Sequence, residues 1–174
     1  MQHLYWVALA VERARSGHAL FGPSTLPRVF RCPGSVRLAI VNNAPIHRES
    51  EYAREGSRAH AVAADALMSE RDLASYTGLP FGYKEEFFSP DAAMTTALQV
   101  YADACNELPG DHYVETTTSL DLWMPLPMQF GTSDFAALYD TTLDVTDLKF
   151  GEGEKVFAAD NEQLLAYALG FYDE

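Results

Sequence analysis

The sequence predicts an α/β domain in which helices flank an antiparallel section of sheet. Three observations support this prediction: helical spacing of apolar residues before residue 110, alternation of apolar and polar residues after it, and a last helical segment near the C-terminus. Hydrophobic residues make up 48% of the 174 residues, which is enough for one folded domain with its own core.

The N-terminal third is predicted to contain short helices separated by proline and glycine. Residues 3–15 have an amphipathic helical pattern, and we interpret residues 1–17 as a helical extension of a main domain at 18–174. A short helical turn is expected between Ser24 and Phe30, and a helix that Ser35 caps should run to Val41.

Ser50 to Ser69 is predicted to be the first long helix, because small and apolar residues recur every three or four positions. These small side chains would let the helix lie close to a neighbouring backbone. His60 falls on the same face. A histidine there is either a hydrogen-bonded core residue or a metal ligand, and only carboxylates brought close to it would make it a ligand.

Residues 70–88 are predicted to form a loop rich in aromatic residues, either packed on the domain, a mobile lid, or a stacking surface for bases. The second long helix should begin at Ser89-Pro90-Asp91, where Ser89 is the expected cap, and end before Pro109. Cys105 falls on the apolar face of that helix, so we assign no chemistry to its thiol.

The strands follow. Residues 113–120 alternate as a strand does, and Glu115 is expected to be an exposed strand carboxylate, although it could point toward other acids. Residues 135–139 and 143–150 read as a hairpin whose loop has two or three residues, which places Asp134 opposite Asp147 or one position away.

Two carboxylates that face each other across a strand pair repel, so a positive charge must offset them. Alternation puts Asp147 and Lys149 on one face of the strand and Leu148 on the other. The acids and the lysine either form an ion-pair network or bind a hard cation through oxygen atoms. An Asp-x-Lys pair on a strand is also compatible with a solvated surface ion pair.

The last helix is predicted to start after Asp160 as its cap and to end at about Gly170. Gln163 and Tyr167 are four residues apart and therefore share one face of this helix. We expect both side chains to reach the end of the strand that carries Asp147.

Charge and cysteine content narrow the class of protein. The net charge is −13, which counts against nucleic-acid binding. The charges are unevenly distributed, because residues 1–60 carry eight arginines and four acids, whereas the remainder carries four basic and 21 acidic residues. If a polyanion binds, we expect the first third of the chain to hold it. The two cysteines form neither a disulfide framework nor a zinc motif. Leu4–Val11 is too short to cross a bilayer and its arginines follow it, so we expect a cytoplasmic protein without a membrane anchor.

These motifs resemble those of the PD-(D/E)XK nuclease superfamily, in its RecB-like branch. Residues 18–170 are also similar to a group of phage and prophage RecB-like nucleases, which share the Cys-Pro-Gly-Ser segment at 32–35 and the Ala-x-Glu-Gly-x-x-x-His helix start at 53–60. The matching positions are His60 in its helix, Gly131-Thr132-Ser133-Asp134, Asp147-Leu148-Lys149, and Gln163 with Tyr167.

The resemblance implies a restriction-endonuclease-like core, a mixed sheet with an antiparallel hairpin flanked by helices. It implies a Mg²⁺- or Mn²⁺-dependent deoxyribonuclease, of the exonuclease kind that phages use in recombination or DNA processing, which leaves a 5′-phosphate and a 3′-hydroxyl. The residues that would hold the metal are His60, Asp134, Asp147 and the carbonyl group of Leu148. Those that would complete the catalytic set are Lys149, which orients the attacking water, and Gln163 and Tyr167, which position the phosphate or hold Lys149.

Two departures from the family pattern carry expectations of their own. Some relatives bind an iron–sulfur cluster through four cysteines, but Cys32 has no such partners in this sequence, so no cluster is expected. The chain ends seven residues after Tyr167, where relatives continue with another strand. A partner protein or a second copy of the chain could then complete the sheet.

Two alternatives to the enzyme remain open. The first is a catalytically silent nuclease fold that binds DNA or protein in a larger complex, which the net charge favours and the intact acids and lysine oppose. The second is an acidic mimic of nucleic acid, which leaves the order of the motifs unexplained.

Overall fold

The computed structural model describes residues 2–15, 17–41, 51–151 and 155–172. The order of elements in these ranges confirms the mixed α/β class. Two 3₁₀-helices, Pro23–Thr25 and Leu73–Tyr76, accompany the main elements. The α-helices are α1 (Gln2–Arg15), α2 (Leu26–Arg31), α3 (Ser35–Val41), α4 (Glu51–Ser69), α5 (Ala92–Asn106) and α6 (Glu162–Tyr172). The strands are β1 (Phe81–Tyr83), β2 (Glu86–Phe88), β3 (Asp111–Ser119), β4 (Phe130–Tyr139) and β5 (Thr142–Thr146).

The strands form two sheets, a β1–β2 hairpin and a three-stranded sheet in the order β3–β4–β5. The strand pairs in the described ranges are antiparallel, so the parallel strands of the predicted mixed sheet are not seen there. The predicted hairpin is confirmed: Tyr139 lies opposite Thr142 across a two-residue loop, and Asp140 has φ +50°.

The second strand of this hairpin is shorter than the sequence predicts, because β5 ends at Thr146 and not at residue 150. The backbone N–H of Leu148 donates to the side chain of Asp134, with 2.7 Å between the nitrogen and the carboxylate oxygen. A side-chain carboxylate has therefore replaced a strand carbonyl as its acceptor, and the chain leaves the ladder at this point.

Residues 70–88 are more regular than the predicted loop, since they contain a 3₁₀-helix and the β1–β2 hairpin. Phe81 pairs with Phe88 across this hairpin, and their rings meet edge to face with 5.7 Å between centroids. Both rings also pack on the core of α4 and α5. The hairpin was missed because three-residue strands are too short to show alternation.

Three helix caps differ from the prediction. Ser35 is the first residue of α3, and its hydroxyl has no hydrogen-bond partner among the described residues, so it does not cap that helix. The carboxylate of Asp91, and not Ser89, caps α5 by accepting the N–H of Met94 at 2.8 Å. Asn161, and not Asp160, caps α6, because its side-chain oxygen accepts the N–H groups of Gln163 and Leu164. In both cases the cap lies two or three residues before the N–H groups that it satisfies. The predicted helix start at Ser50 lies outside the described residues.

The chain divides into two compact units, and one of them contains the predicted metal ligands. This second unit comprises Glu49–Glu115 and Asp134–Val156. Its core is built from α4 and α5, with Val62 and Leu98 fully buried. Leu148 is 8% exposed and belongs to the same core, so it anchors the segment between Asp147 and Lys149.

The first unit comprises Met1–Arg48, Thr116–Ser133 and Phe157–Glu174. Helix α1 belongs to its core, because Ala10 is fully buried and packs in a cluster with Leu20, Val36 and Leu126. The division of the chain at residue 17 stays a prediction. Within the described ranges, each helix is too short or too polar to reach across a lipid bilayer.

Candidate metal centre

Three side chains from three different elements of the second unit converge on one point. His60 comes from α4, Glu115 from β3 and Asp134 from β4, and one nitrogen or oxygen ligand atom from each lies within 4.8 Å of the other two. Residue 60 is the predicted histidine, and its Nδ1 is 3.1 Å from Oδ1 of Asp134. The described part of the chain therefore brings His60 and Asp134 together as the sequence predicts.

Asp134 is held by both of its carboxylate oxygens. Oδ1 faces the imidazole of His60, while Oδ2 accepts the backbone N–H of Leu148 at 2.7 Å. Only 13% of its side chain is exposed. A carboxylate fixed in this way keeps one orientation toward a bound ion, as outer hydrogen bonds do in metal sites.

Asp147 and Lys149 form an ion pair beside this cluster. Nζ of Lys149 is 2.5 Å from Oδ2 of Asp147, and the side chains are 49% and 7% exposed, respectively. The β4–β5 ladder ends at Phe135 and Thr146, one pair before Asp134 and Asp147. Continued by one residue, the same register would place the two acids opposite each other, which is one of the two arrangements that the predicted loop allows.

Burial and neighbouring charges shift the pKa values of the groups in and beside the cluster. Burial, followed by the charge of Asp134, raises the pKa of Asp147, and Lys149 offsets only part of this effect. Burial and Asp134 likewise raise the pKa of Glu115. Burial alone would lower the pKa of His60, but the hydrogen bond and charge of Asp134 raise it above its ordinary value.

Glu115 is the residue of this cluster that was not among the predicted metal ligands, because the sequence favoured an exposed strand carboxylate over one that points toward the other acids. Residue 115 is exposed, as predicted, but its carboxyl group is partly buried where it joins His60 and Asp134. Glu115 also has φ +47° in the interior of β3, a left-handed conformation that a non-glycine residue rarely adopts. Such strain concentrates at functional sites. The adjacency of β3 and β4 in the sheet is the signal that could have identified it.

A cavity of about 620 Å³ opens onto the cluster. One wall is a face of α4 with mostly small residues, and the other is strand β1. The volume is typical of sites for small molecules. The residues that line it are Ala53, Gly56, Ser57, His60, Ala61, Ala64, Asp65, Met68, Phe81, Gly82, Tyr83, Glu115 and Asp134.

Gln163 and Tyr167 lie on one face of α6, as predicted, and Nε2 of Gln163 donates to the hydroxyl oxygen of Tyr167 at 3.1 Å. They belong to the first unit, and their approach to the strand end at Asp147 stays a prediction. Tyr167 has a packing role in that unit. A Cβ atom on Gly131 would lie 3.0 Å from the ring of Tyr167 and 2.4 Å from Cγ of Pro23, so glycine is the residue that fits there.

The donor set suits a hard divalent cation. Ligands on opposite sides of an ion lie about 5 Å apart around Ca²⁺ and about 4.2 Å apart around Mg²⁺, so the three ligand atoms, which lie within 4.8 Å of one another, have the spacing of a Ca²⁺ site and would move slightly closer around Mg²⁺. Carboxylate oxygens are typical ligands for Mg²⁺ and Mn²⁺, and one imidazole shifts the preference toward Mn²⁺. Burial and, after it, the charge of Asp134 raise the pKa values of Glu115 and Asp147, and a bound cation would offset the part that comes from the charge of Asp134.

Comparison with known proteins adds a family but no known function. No solved structure gives a significant match to the chain. A family model described as "Protein of unknown function (DUF2800)" matches residues 18–174, which is most of the sequence. The chain therefore belongs to the DUF2800 family.

Proposed function

We propose that the protein is a metal-dependent nuclease that hydrolyses phosphodiester bonds in DNA. One observation carries this proposal: His60, Glu115 and Asp134 converge within 4.8 Å in a cavity, beside a buried Asp147 that is paired with Lys149. The resemblance to RecB-like nucleases supports the same conclusion, and with it a restriction-endonuclease-like core. Phage recombination or DNA processing is the process in which we propose that it acts.

The residues proposed to hold Mg²⁺ or Mn²⁺ are His60, Asp134, Asp147 and the carbonyl of Leu148, and the position of Glu115 adds a further carboxylate. A cation bound there would supply positive charge to the scissile phosphate and would make the attacking water more acidic. These ligands need preorganisation, and the N–H of Leu148 provides it by fixing Asp134.

Lys149 is proposed to act on the attacking water. Half of its side chain is exposed, while the ion pair with Asp147 holds its ammonium group at the edge of the acid cluster. The ammonium group of Lys149 at this position would orient the water and stabilise the negative charge that develops on the phosphate. Gln163 and Tyr167 are proposed to position the phosphate or to hold Lys149.

A cleavage assay on end-labelled linear DNA and on circular DNA tests the proposal, with Mg²⁺, Mn²⁺ or EDTA. We expect cleavage only with metal, and losses of about 10²-fold or more in Asp147→Ala and Lys149→Ala, since each removes a group that acts on the transition state. Asp140→Asn and Lys155→Ala are matched controls, because both residues are exposed and lie outside the cluster. Folded protein that binds no divalent metal and leaves every DNA intact would contradict the proposal.

The second candidate is the catalytically silent module, which would bind DNA or protein in a larger complex. The net charge of −13 favours it over a nuclease that must bind DNA by itself, since a strongly acidic protein binds a polyanion poorly. DNA binding measured in EDTA and in Ca²⁺ separates the two candidates. A nuclease should bind DNA better with Ca²⁺, a metal that fills the site without supporting cleavage. Equal binding in both solutions, together with no cleavage in Mg²⁺ or Mn²⁺, would favour the silent module.

A further inference from the structure

The cavity beside the acid cluster lacks the basic wall that a grip on double-stranded DNA requires. Among the described residues that line it there is neither a lysine nor an arginine, while Asp65, Glu115 and Asp134 contribute three carboxyl groups. Duplex DNA carries about one negative charge per 1.7 Å of its axis, and its affinity for proteins comes largely from lysine and arginine contacts to phosphate. The lining of the cavity therefore opposes a duplex and tolerates a ligand with few phosphates.

The wall opposite α4 offers an aromatic surface instead. Tyr83, at the end of β1, lines the cavity and is only partly buried, so one part of its ring is accessible. Nζ of Lys84 is 5.0 Å from the centroid of this ring. By contrast, Phe81 packs on the core and against Phe88, so its ring is already engaged. Aromatic side chains bind bases of single strands by stacking, without regard to sequence.

The face of α4 keeps the cavity open. Ala53, Ser57, Ala61 and Ala64 lie at helical spacing on one side of this helix, and all of them line the cavity. Their side chains are too short to reach across to β1. A larger residue at one of these positions would fill the space without changing any proposed metal ligand.

We propose that this cavity takes the terminal nucleotide of a single DNA strand, with the base stacked on Tyr83 and a phosphate directed to the cluster of His60, Glu115 and Asp134. This inference rests on the proposed function and names its substrate class, single-stranded DNA ends. Stacking on Tyr83 supplies the affinity that the absent basic wall does not, and the volume of about 620 Å³ lies in the range of small-molecule sites.

Fluorescence anisotropy in Ca²⁺ tests the inference, with a labelled oligothymidylate of eight nucleotides and a blunt duplex of the same length as probes. The wild-type chain should bind the single strand more tightly than the duplex. Tyr83→Ala should weaken single-strand binding by roughly five- to 150-fold, the range expected for the loss of one stacked base. Phe87→Ala is the matched control, because Phe87 is an aromatic residue of the same hairpin that is 81% exposed and does not line the cavity.

A second variant tests whether binding needs the open volume of the cavity, and not only the ring of Tyr83. Ala61→Phe should weaken single-strand binding by at least tenfold while the increase in melting temperature on adding Mn²⁺ stays as in wild type, since no proposed ligand changes. The affinity of the wild-type chain should also depend weakly on salt, with a slope of about −0.7 to −1.4 in log affinity against log salt concentration for one or two phosphates.

The outcomes separate this inference from the proposed function. Wild-type binding in both Tyr83→Ala and Ala61→Phe, or tighter binding of the duplex, would overturn the inference even if metal-dependent cleavage is found. If no cleavage occurs but stacking-dependent binding of single strands is measured, the inference holds and the nuclease proposal fails.

Discussion

Replacing Glu115 with glutamine should change the stability of the protein in opposite directions with and without metal. The substitution keeps the size of the side chain and the unusual backbone conformation, but it removes one negative charge. Oxygen atoms of Glu115 and Asp134 lie within 4.8 Å of each other. Two unit charges at that distance repel by about 1 kcal/mol in water and by about 3.5 kcal/mol at an effective dielectric constant of about 20.

The smaller figure is used, because residue 115 is exposed on one side and solvent screens part of its charge, although its carboxyl group is partly buried. Without metal, the glutamine variant should therefore be more stable than wild type by about 1 kcal/mol, or about 2–4 °C in melting temperature for a chain of this size. The measurement belongs in EDTA at pH 9, because the positive charge on His60 that would offset the repulsion decreases as the pH rises. In Mg²⁺ or Mn²⁺ the sign should reverse, since an amide oxygen is a weaker ligand than a carboxylate.

The dependence on pH has a definite sign. Burial and Asp134 raise the pKa of Glu115 above its ordinary value of 4.5, so the folded protein holds this proton to a higher pH than the unfolded chain does. The destabilising charge is absent below pH 4.5 and fully present above the raised pKa. The advantage of the glutamine variant should therefore appear only as the pH rises through this interval.

Far-UV circular dichroism should follow this unfolding, because it detects the helices and strands of both units, whereas both tryptophans, Trp6 and Trp123, lie in the first unit. Glu107→Gln is the matched control, since Glu107 is exposed and outside the cluster, and its effect should stay within about 0.5 kcal/mol. A Glu115→Gln variant that is less stable than wild type in EDTA at pH 9, or an equal stabilisation of both proteins by metal, would refute this reasoning.

Three further predictions concern the rest of the chain. Iodoacetamide should modify Cys32, which is exposed, and should leave Cys105 intact until the protein unfolds. Cys105 is protected because it is buried and burial raises its pKa to about 11. Mass spectrometry of native and denatured samples measures the modification. Gly131→Ala should destabilise the first unit by about 1–3 kcal/mol through overpacking, which tryptophan fluorescence in urea would measure. Gly34→Ala is the control and should be tolerated, because no atom lies close to the position of the added Cβ. Leu98→Ala should lower the free energy of unfolding by about 2–5 kcal/mol, because it leaves a cavity in a fully buried site, and a loss below 1 kcal/mol in chemical denaturation would contradict the described core.

The sequence by itself determined the long helices and the hairpin. The spacing of apolar residues in α4 and α5 and the two-residue loop between β4 and β5 depend on neighbours within a few positions, so local patterns contain them. The same loop predicted that Asp134 lies opposite Asp147 or one position away, and the observed ladder ends one pair before these two residues. The sequence did not determine where β5 ends. The backbone N–H of Leu148 donates to the side chain of Asp134 in β4, and this long-range contact is not visible in a local pattern.

Only the tertiary structure decided which groups assemble the candidate site. The hydrogen bond between His60 and Asp134 joins residues 74 positions apart, and Glu115 reaches them from a third element whose alternation resembles that of any exposed strand. Gly131 looked like part of a catalytic motif, yet contact with Pro23 and Tyr167 explains it by packing. Periodicity records the side of an element on which a residue lies, whereas a site depends on which elements meet, and that is set by the packing of the whole core.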